Sequence, residues 1–284
     1  MKVSKRLRSV FFKNPASKKD ADRLDKLLNR RLKESEARLR DVLKSEVRAH
    51  SVKILNHDLA PTYYWERAYK KIDIETSIDG FADIARQIKQ DGRTFLDLDR
   101  LYTLWQCLAS LRGQKLTTPV VEIGVHRGGS LRFMALAMKQ LDITGQLVGV
   151  DTFEGHAVVD NQVDGAHAVG DLFTSKDLVL EYLHDIENVQ IIQGDVMTLG
   201  ATLDGLKDVP MVHIDVDVHA PTSFCLELFG TKVMRGGTIV VDDYGFTTCP
   251  GAKKAVDEFC TGNVDYFKMH LLTGQAVLIR CTPT

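Results

Sequence analysis

Residues 120–130 read VVEIGVHRGGS, and this stretch decides the fold. Its apolar beginning predicts a buried strand, its glycines predict a tight turn, and the apolar pattern that begins near Leu131 predicts a helix. Such a turn lets the backbone approach a ligand closely, and the start of the helix offers unpaired N–H groups. The glycine spacing departs from G-x-G-x-x-G, so the turn alone favours a nucleotide-like ligand and a purely structural role equally.

Short β-rich runs recur downstream, and each is followed by a helical pattern. The runs are 147–150 (LVGV), 189–192 (VQII), 212–214 (VHI) and 238–241 (TIVV). This alternation predicts an α/β fold in which helices cover both faces of a parallel sheet. Ligands of such sheets lie beyond the carboxyl ends of the strands, so the residues that follow the strands are the candidates for a site.

Acidic residues follow the second and third predicted strands. Asp151 ends the second strand, where a carboxylate can accept hydrogen bonds from the hydroxyls of a ribose. Asp195 follows the third strand, where a carboxylate could bind an adenine amino group, although Gly-Asp is also a common turn. Together with the glycine-rich turn, these positions favour a cofactor that contains a nucleoside.

More aspartates follow the fourth and fifth predicted strands, in residues 213–219 (HIDVDVH) and 241–245 (VDDYG). Carboxylates brought together at the ends of two strands repel one another unless a cation or protons neutralise them. Oxygen-rich clusters suit a hard ion, with Mg²⁺ the first candidate. Helix capping explains a single aspartate, but it does not explain the adjacent Asp242 and Asp243 together with Asp215. The pattern therefore predicts a metal site.

The amino-terminal part of the chain differs in charge from the rest. Residues 1–55 hold 17 Lys and Arg against 7 Asp and Glu, within a chain of 284 residues whose formal net charge is −1. Apolar residues at helical spacing between residues 20 and 55 predict one long amphipathic helix. We favour packing of this helix on a partner subunit, and contact of its basic face with an anionic membrane surface remains the alternative.

Composition bounds the class of protein. The chain is 44% hydrophobic and 26% charged, which is typical of a globular protein. No recognisable nucleic-acid-binding motif is present, and the acidic remainder would repel a polyanion. No apolar run reaches the length of a membrane span, and five cysteines without a C-x-x-C pair indicate a reducing cytoplasm. We expect a cytoplasmic protein that forms a homo-oligomer and binds no nucleic acid.

Four segments together resemble the macrocin O-methyltransferase family, from about residue 91 to the carboxyl terminus. They are 122–130 (EIGVHRGGS), 150–155 (VDTFEG), 213–217 (HIDVD) and 236–257 (GGTIVVDDYGFTTCPGAKKAVD). The resemblance implies a Rossmann-like class I methyltransferase fold with a mostly parallel seven-stranded sheet. We divide the chain into a basic helical extension (1–60) and an S-adenosylmethionine-dependent methyltransferase domain (61–284), whose helical cap spans 61–117.

The resemblance also implies roles for individual residues. It places S-adenosylmethionine against Glu122, Gly124, Gly128, Ser130, Asp151, Thr152, Asp195 and Asp215. It places Mg²⁺ on Asp215, Asp242 and Asp243. Asp217 occupies the position of the general base in the family. Related catechol-type enzymes carry a lysine one residue further on, but that residue is Val218 here, so a lysine base is not expected there. Residues 155–171 are expected to line the acceptor pocket.

The residues then suggest a mechanism. Mg²⁺ lowers the pKa of an oxygen near it, and two adjacent sugar hydroxyls could chelate it, while Asp217 or His219 takes the proton. His156 is a further candidate beside the acceptor, whereas His126 and His213 are expected to pack. We expect a sugar or glycoside hydroxyl as acceptor, with a catechol-like or other vicinal diol as the alternative. An NAD-dependent oxidoreductase or a non-enzymatic binding protein is the more distant alternative.

Overall fold

A computed structural model of the protein describes residues 80–282. The chain divides between Lys70 and Lys71 into two units, and the described residues all belong to the second. The predicted long helix between residues 20 and 55 lies outside the described residues. So do the predicted extension over residues 1–60 and the first part of the predicted helical cap, residues 61–79.

Two helices precede the sheet. Helix α1 (Phe81–Asp91) ends at Gly92, whose left-handed backbone (φ 65°) terminates the helix. Helix α2 (Leu98–Ala109) follows. The Phe81 ring makes an edge-to-face contact with the Trp105 ring, at a centroid distance of 5.8 Å, which joins the two helices.

The remaining elements alternate as the sequence predicts. In chain order they are β1 (Val120–Ile123), α3 (Gly129–Gln140), β2 (Leu147–Asp151), α4 (Lys176–Tyr182), β3 (Val189–Gln193), α5 (Gly200–Leu203), β4 (Val209–Ile214), α6 (His219–Gly230), β5 (Val233–Val241), α7 (Pro250–Cys260), β6 (Tyr266–His270) and β7 (Ala276–Arg280). No helix among the described residues is both long enough and apolar enough to span a membrane.

The strands form one seven-stranded sheet in the order β3-β2-β1-β4-β5-β7-β6. Strands β1 to β5 are parallel, whereas β7 pairs antiparallel with both β5 and β6. The predicted α/β class with a mostly parallel seven-stranded sheet is confirmed. The chain order reverses beside β1, and ligand sites of such sheets form at this switch point, at the carboxyl ends of β1 and β4.

Both faces of the central strands are buried. Every residue of β1 and of β4 is buried. Adjacent residues enter opposite cores: Val120 packs in the core that contains Phe133 and Leu104, whereas Val121 packs in the core that contains Phe229. This explains why these strands read as apolar runs instead of alternating with polar residues.

The long segment between β2 and α4 is fastened to the far side of the sheet by one carboxylate. The buried Asp164 accepts hydrogen bonds from the backbone N–H groups of His219 (3.0 Å) and Asp160 (3.2 Å). Gly251 makes room for this contact, since a Cβ atom there would lie 1.8 Å from Asp164 Oδ1. The segment is thereby tied to the first turns of α6 and α7.

Asp99 on α2 gives the fold a pH-dependent stability. Both of its carboxylate oxygens are buried without a hydrogen-bond partner among residues 80–282, and burial raises the pKa of Asp99 to about 6. Because the folded-state pKa lies above the unfolded value of 3.8, this group stabilises the fold at acid pH, and the contribution is lost as pH rises through 6.

We therefore expect Asp99→Asn to raise the free energy of unfolding at pH 7.5 by on the order of 1–2 kcal/mol. The advantage should shrink between pH 6 and pH 4, as measured by urea denaturation across that range. Asp83→Asn, on the exposed face of α1, serves as the control and should change stability by less than about 1 kcal/mol. An equal effect of Asp99→Asn at pH 4 and pH 7.5 would contradict the assignment.

Candidate active site

A pocket opens at the carboxyl ends of β1, β2 and β4. Its empty volume is about 650 Å³, counting space open to solvent. Five of the predicted cofactor residues line it, namely Gly124, Asp151, Thr152, Asp195 and Asp215. Most of the cofactor-binding residues predicted from the sequence therefore lie around one cavity.

Gly124 allows two turns in the wall of this pocket to lie in close contact. Its backbone is left-handed (φ 91°), and a Cβ atom there would lie 1.8 Å from the carbonyl oxygen of Asp215. Only glycine permits such an approach without displacing the backbone of the neighbouring strand end. The turn after β1 therefore lies directly against the turn after β4.

The Asp151 carboxylate organises the pocket wall. Its Oδ2 accepts hydrogen bonds from the N–H groups of Val125 and His126, both at 2.7 Å, and its Oδ1 accepts one from Phe153 N at 2.6 Å. The carboxylate thus holds the glycine-rich turn and the turn after β2 together. A carboxylate offers about four acceptor sites, so one remains toward the pocket.

The other predicted cofactor residues lie elsewhere. Among the described residues that line the pocket, neither Glu122 nor Gly128 is found. Gly128 makes the left-handed turn before α3 (φ 85°). Ser130 lines an adjoining cavity, which shares Asp215 and Asp217 with the first one.

Glu122 instead pairs with a buried histidine. His213 Nδ1 lies 2.8 Å from Glu122 Oε1, and His213 Nε2 lies 3.8 Å from Asp242 Oδ1, with all three side chains fully buried. Burial raises the pKa of Glu122. Burial lowers the pKa of His213, but the neighbouring carboxylates of Asp242 and Glu122 outweigh it and raise that pKa to about 10. The pair therefore carries a proton at neutral pH and links the glycine-rich turn to the end of β5.

The predicted metal ligands converge. Carboxylate oxygens of Asp215, Asp242 and Asp243 all lie within 4.8 Å of one another. Asp242 already has partners: Arg100 donates to its Oδ2, and Gln275 Nε2 donates to its Oδ1 at 2.8 Å. Asp215 accepts no hydrogen bond from the described residues, so its oxygens and those of Asp243 are the more open ligands.

The charges in this cluster are only partly balanced. Burial, followed by repulsion from neighbouring carboxylates, raises the pKa of Asp215 and of Asp243 well above the usual range. Burial also acts to raise the pKa of Asp242, but His213, Arg100 and Gln275 together lower it. The cluster thus holds more negative charge than its cations neutralise, which suits a bound divalent ion.

Asp217 lies between the two cavities and lines both. Its backbone is left-handed (φ 61°), and its N–H donates to Asp243 Oδ2 at 3.3 Å. His156 Nε2 lies 3.7 Å from Asp217 Oδ2. Burial raises the pKa of Asp217, so its carboxylate binds a proton more readily than an exposed one.

The His219 ring has a different environment. Its Nε2 lies 2.9 Å from Glu258 Oε2 and 3.1 Å from Lys254 Nζ, both on α7. The ring is not among the described side chains that line either cavity. Of the two predicted bases, the structure brings only Asp217 to the pocket.

Several polar residues of the site carried no sequence signal. Arg100 and Gln275 reach Asp242 from α2 and from the turn before β7, 142 and 33 residues away along the chain. His213 lies within an apolar strand and was expected only to pack, yet it bridges two carboxylates. The sequence indicated this role only in that His213 is a polar residue within an apolar run. The structure places it opposite Glu122 on the neighbouring strand.

Comparison with known proteins shows the family of the chain. The family model for macrocin-O-methyltransferase (TylF) matches residues 22–269. Demethyldecarbamoylnovobiocin O-methyltransferase of Streptomyces niveus is 29% identical over 195 residues, which cover 61% of this chain and 72% of that protein. The 8-demethyl-8-(2,3-dimethoxy-alpha-L-rhamnosyl)-tetracenomycin-C 4'-O-methyltransferase of Streptomyces olivaceus is 27% identical over 201 residues, 65% of this chain and 77% of that protein.

Solved structures share the fold. The O-methyltransferase NovP superposes with a TM-score of 0.55 at 24% identity, over 67% of this chain and 83% of that one. The calicheamicin methyltransferase CalS11 superposes with a TM-score of 0.51 at 17% identity, over 77% of this chain and 90% of that one. At these identities the likeness concerns the fold.

The close approach at Gly124 yields a test of the pocket. We expect Gly124→Ala to weaken binding of S-adenosylhomocysteine at least about tenfold, because the added methyl group pushes the turns after β1 and β4 apart. Isothermal titration calorimetry measures the affinity. Gly205→Ala is the matched control, since a Cβ atom there meets no other atom within 4 Å. Unchanged affinity in Gly124→Ala would show that the cofactor does not bind in this pocket.

Proposed function

Because the chain belongs to the macrocin-O-methyltransferase (TylF) family and is an S-adenosylmethionine-dependent O-methyltransferase, we propose that it depends on Mg²⁺ and methylates a hydroxyl group of a sugar or glycoside. The observation that carries this proposal is the convergence of Asp215, Asp242 and Asp243 beside the pocket. The name of the Streptomyces olivaceus relative, a 4'-O-methyltransferase that acts on a rhamnosyl compound, supports a sugar acceptor.

The residues present fit a hard divalent cation. The donor set consists of carboxylate oxygens, which Mg²⁺ prefers, and two of the three side chains have open acceptor sites. Asp215 and Asp243 also line the second cavity, and Asp215 lines the first as well. A cation bound by these carboxylates would therefore be accessible to a ligand in the pocket. When bound, such an ion supplies Lewis-acid chemistry, lowering the pKa of an acceptor hydroxyl by several units.

The pocket lining supports a position for the cofactor. Asp151 ends β2 and Asp195 follows β3, at the two positions where a class I methyltransferase would hold ribose and adenine. S-adenosylmethionine supplies a methyl group that its sulfonium already activates. The chain therefore mainly has to align the acceptor oxygen with that methyl group and assist removal of its proton.

Asp217 is the residue that we assign to proton removal. It lies between the two cavities, beside Asp215 and the proposed metal ligands, and burial raises its pKa, which favours uptake of a proton. The neighbouring His156 Nε2 lies 3.7 Å from Asp217 Oδ2, and burial lowers the pKa of this ring, so it adds no positive charge beside the proposed base at neutral pH.

Residues 155–171 are proposed to shape the acceptor side. Gly155, His156, Ala157 and Val158 line the pocket, and Asp164 fastens the segment to α6. A segment held at one buried carboxylate can present different side chains to an acceptor without disturbing the sheet. Val158 is 46% exposed at this wall, which gives the acceptor an apolar surface as well as polar contacts.

Removing one proposed metal ligand separates metal dependence from cofactor binding. We expect Asp243→Asn to lower the rate of methyl transfer by about 10²-fold or more, because the metal loses a charged ligand. Radiolabelled methyl transfer from S-adenosylmethionine to methyl α-L-rhamnoside measures the rate. Affinity for S-adenosylhomocysteine should stay within about threefold of wild type.

A second readout of the same variant does not depend on the acceptor. Mg²⁺ at 100 times its dissociation constant should stabilise the wild-type protein by about 2.7 kcal/mol in urea denaturation, and Asp243→Asn should lose most of this gain. Asp142→Asn, on the exposed turn after α3, is the control. Full activity of the wild-type enzyme in EDTA would refute the proposed metal dependence.

Asp217→Asn tests the proposed base. Asparagine tolerates the left-handed backbone of this position, so the fold should be retained. We expect kcat to fall by about 10²- to 10⁴-fold while cofactor affinity is unchanged. Asp142 has a similar backbone conformation (φ 54°), so Asp142→Asn is a matched control and should keep wild-type activity. A near-normal kcat in Asp217→Asn would place the base elsewhere.

A further inference from the structure

A second group of metal-ligating side chains lies beside the carboxylate cluster. One ligand atom each of His167, Asp217 and Cys249 can be chosen so that all three lie within 4.8 Å of one another. Cys249 Sγ lies 3.5 Å from His167 Nε2 and 3.7 Å from Asp217 Oδ1. The three residues come from three segments: the loop before α4, the turn after β4 and the residue that precedes α7.

These spacings match tetrahedral coordination of a softer ion. Zinc binds sulfur at about 2.3 Å and histidine nitrogen at about 2.0–2.1 Å, which puts two ligands of a tetrahedron about 3.3–3.6 Å apart. A nitrogen, a sulfur and an oxygen donor together suit Zn²⁺, whereas the oxygen-only cluster of Asp215, Asp242 and Asp243 suits Mg²⁺. The two groups therefore differ in chemistry although they are neighbours.

His156 supplies an independent observation. Its side chain is only 8% exposed, and its Nε2 is buried 3.7 Å from Asp217 Oδ2, with no hydrogen-bond partner in the described part of the chain. Its ring stands edge-to-face with the His167 ring, at a centroid distance of 5.1 Å. A buried ring nitrogen without a partner is costly, and a metal ion at this point would satisfy it.

We infer that His167, Asp217 and Cys249 form a binding site for Zn²⁺ or a similar thiophilic divalent ion, with His156, 3.7 Å from Asp217, as the candidate fourth ligand. In the absence of the ion, His167 Nε2 lies 3.0 Å from the carbonyl oxygen of Thr248 and can donate to it. On binding, the Nε2 lone pair turns to the metal, the ring proton resides on Nδ1, and the Cys249 thiol loses its proton to solvent.

This site shares Asp217 with the proposed reaction. An ion that holds the Asp217 carboxylate prevents it from taking a proton, so Zn²⁺ should inhibit methyl transfer even when Mg²⁺ is saturating. This consequence rests on the proposed function, whereas metal binding itself does not. Occupancy would also clamp the segment that contains His156 and His167 against α7.

Cobalt titration of the full-length protein tests the site directly. Co²⁺ bound to a thiolate gives a near-ultraviolet charge-transfer band and tetrahedral d–d bands, neither of which arises from Mg²⁺-type carboxylate sites. We expect wild type to show both at about one Co²⁺ per chain, in the presence of a non-thiol reductant, and excess Zn²⁺ to abolish them. Absence of the charge-transfer band in wild type would overturn the inference.

Variants assign the ligands. Cys249→Ser should remove the charge-transfer band and weaken Zn²⁺ binding by at least about tenfold, while Cys281→Ser, at an exposed cysteine, should leave both unchanged. His167→Gln, checked for folding by S-adenosylhomocysteine binding, should weaken Zn²⁺ binding similarly, which keeps the test valid if Cys249→Ser does not fold. A band that persists in Cys249→Ser would refute the site.

One further arm separates this inference from the proposed function. Asp243→Asn removes a ligand of the oxygen-only cluster and should leave the thiolate-to-cobalt band intact. If that variant keeps full methyl transfer in EDTA yet still shows the band, the proposed Mg²⁺ dependence fails and the zinc site stands. If the band is absent from wild type while Mg²⁺ dependence is confirmed, the zinc site fails alone.

Discussion

The arrangement of the site depends on the buried negative charge concentrated at the ends of β4 and β5. Asp215, Asp242 and Asp243 meet there because the two strands are parallel neighbours in register. Like charges this close are unstable in a buried setting unless cations neutralise them. Arg100 and His213 provide part of that balance in the protein itself, and both lie closest to Asp242. The other two carboxylates are the ones that we propose as the more open ligands of an ion.

The same constraint couples the two halves of the site. Glu122 in β1 pairs with the His213 imidazole, which also lies beside Asp242 at the end of β5. A displacement of one strand end would therefore change the contacts at the other. Buried polar networks of this kind hold their members in one arrangement, because any other leaves a charge without a partner. Methyl transfer needs two reactants aligned within a fraction of an ångström, and a rigid floor beneath both cavities favours that alignment.

The sequence predicted what depends on local pattern. Apolar runs, the glycine-rich turn and the strand-end aspartates predicted the sheet and the carboxylate cluster, because parallel strands end at one edge. The partners of those aspartates could not be predicted, since Arg100 approaches from a helix far away along the chain. The direction of the His219 ring depends on Glu258, one helix later. His167 lies in a loop without periodicity, so its meeting with Cys249 is visible only in three dimensions.

The backbone at Asp217 limits how this enzyme can evolve. A left-handed conformation is open to glycine, asparagine, aspartate and histidine at small cost, whereas most other side chains lose about 1–2 kcal/mol there. Glutamate or lysine at this position would therefore require the turn after β4 to be rebuilt. Substitutions in the loop of residues 155–171 could change the acceptor specificity more readily. They would leave the proposed base at Asp217 in place.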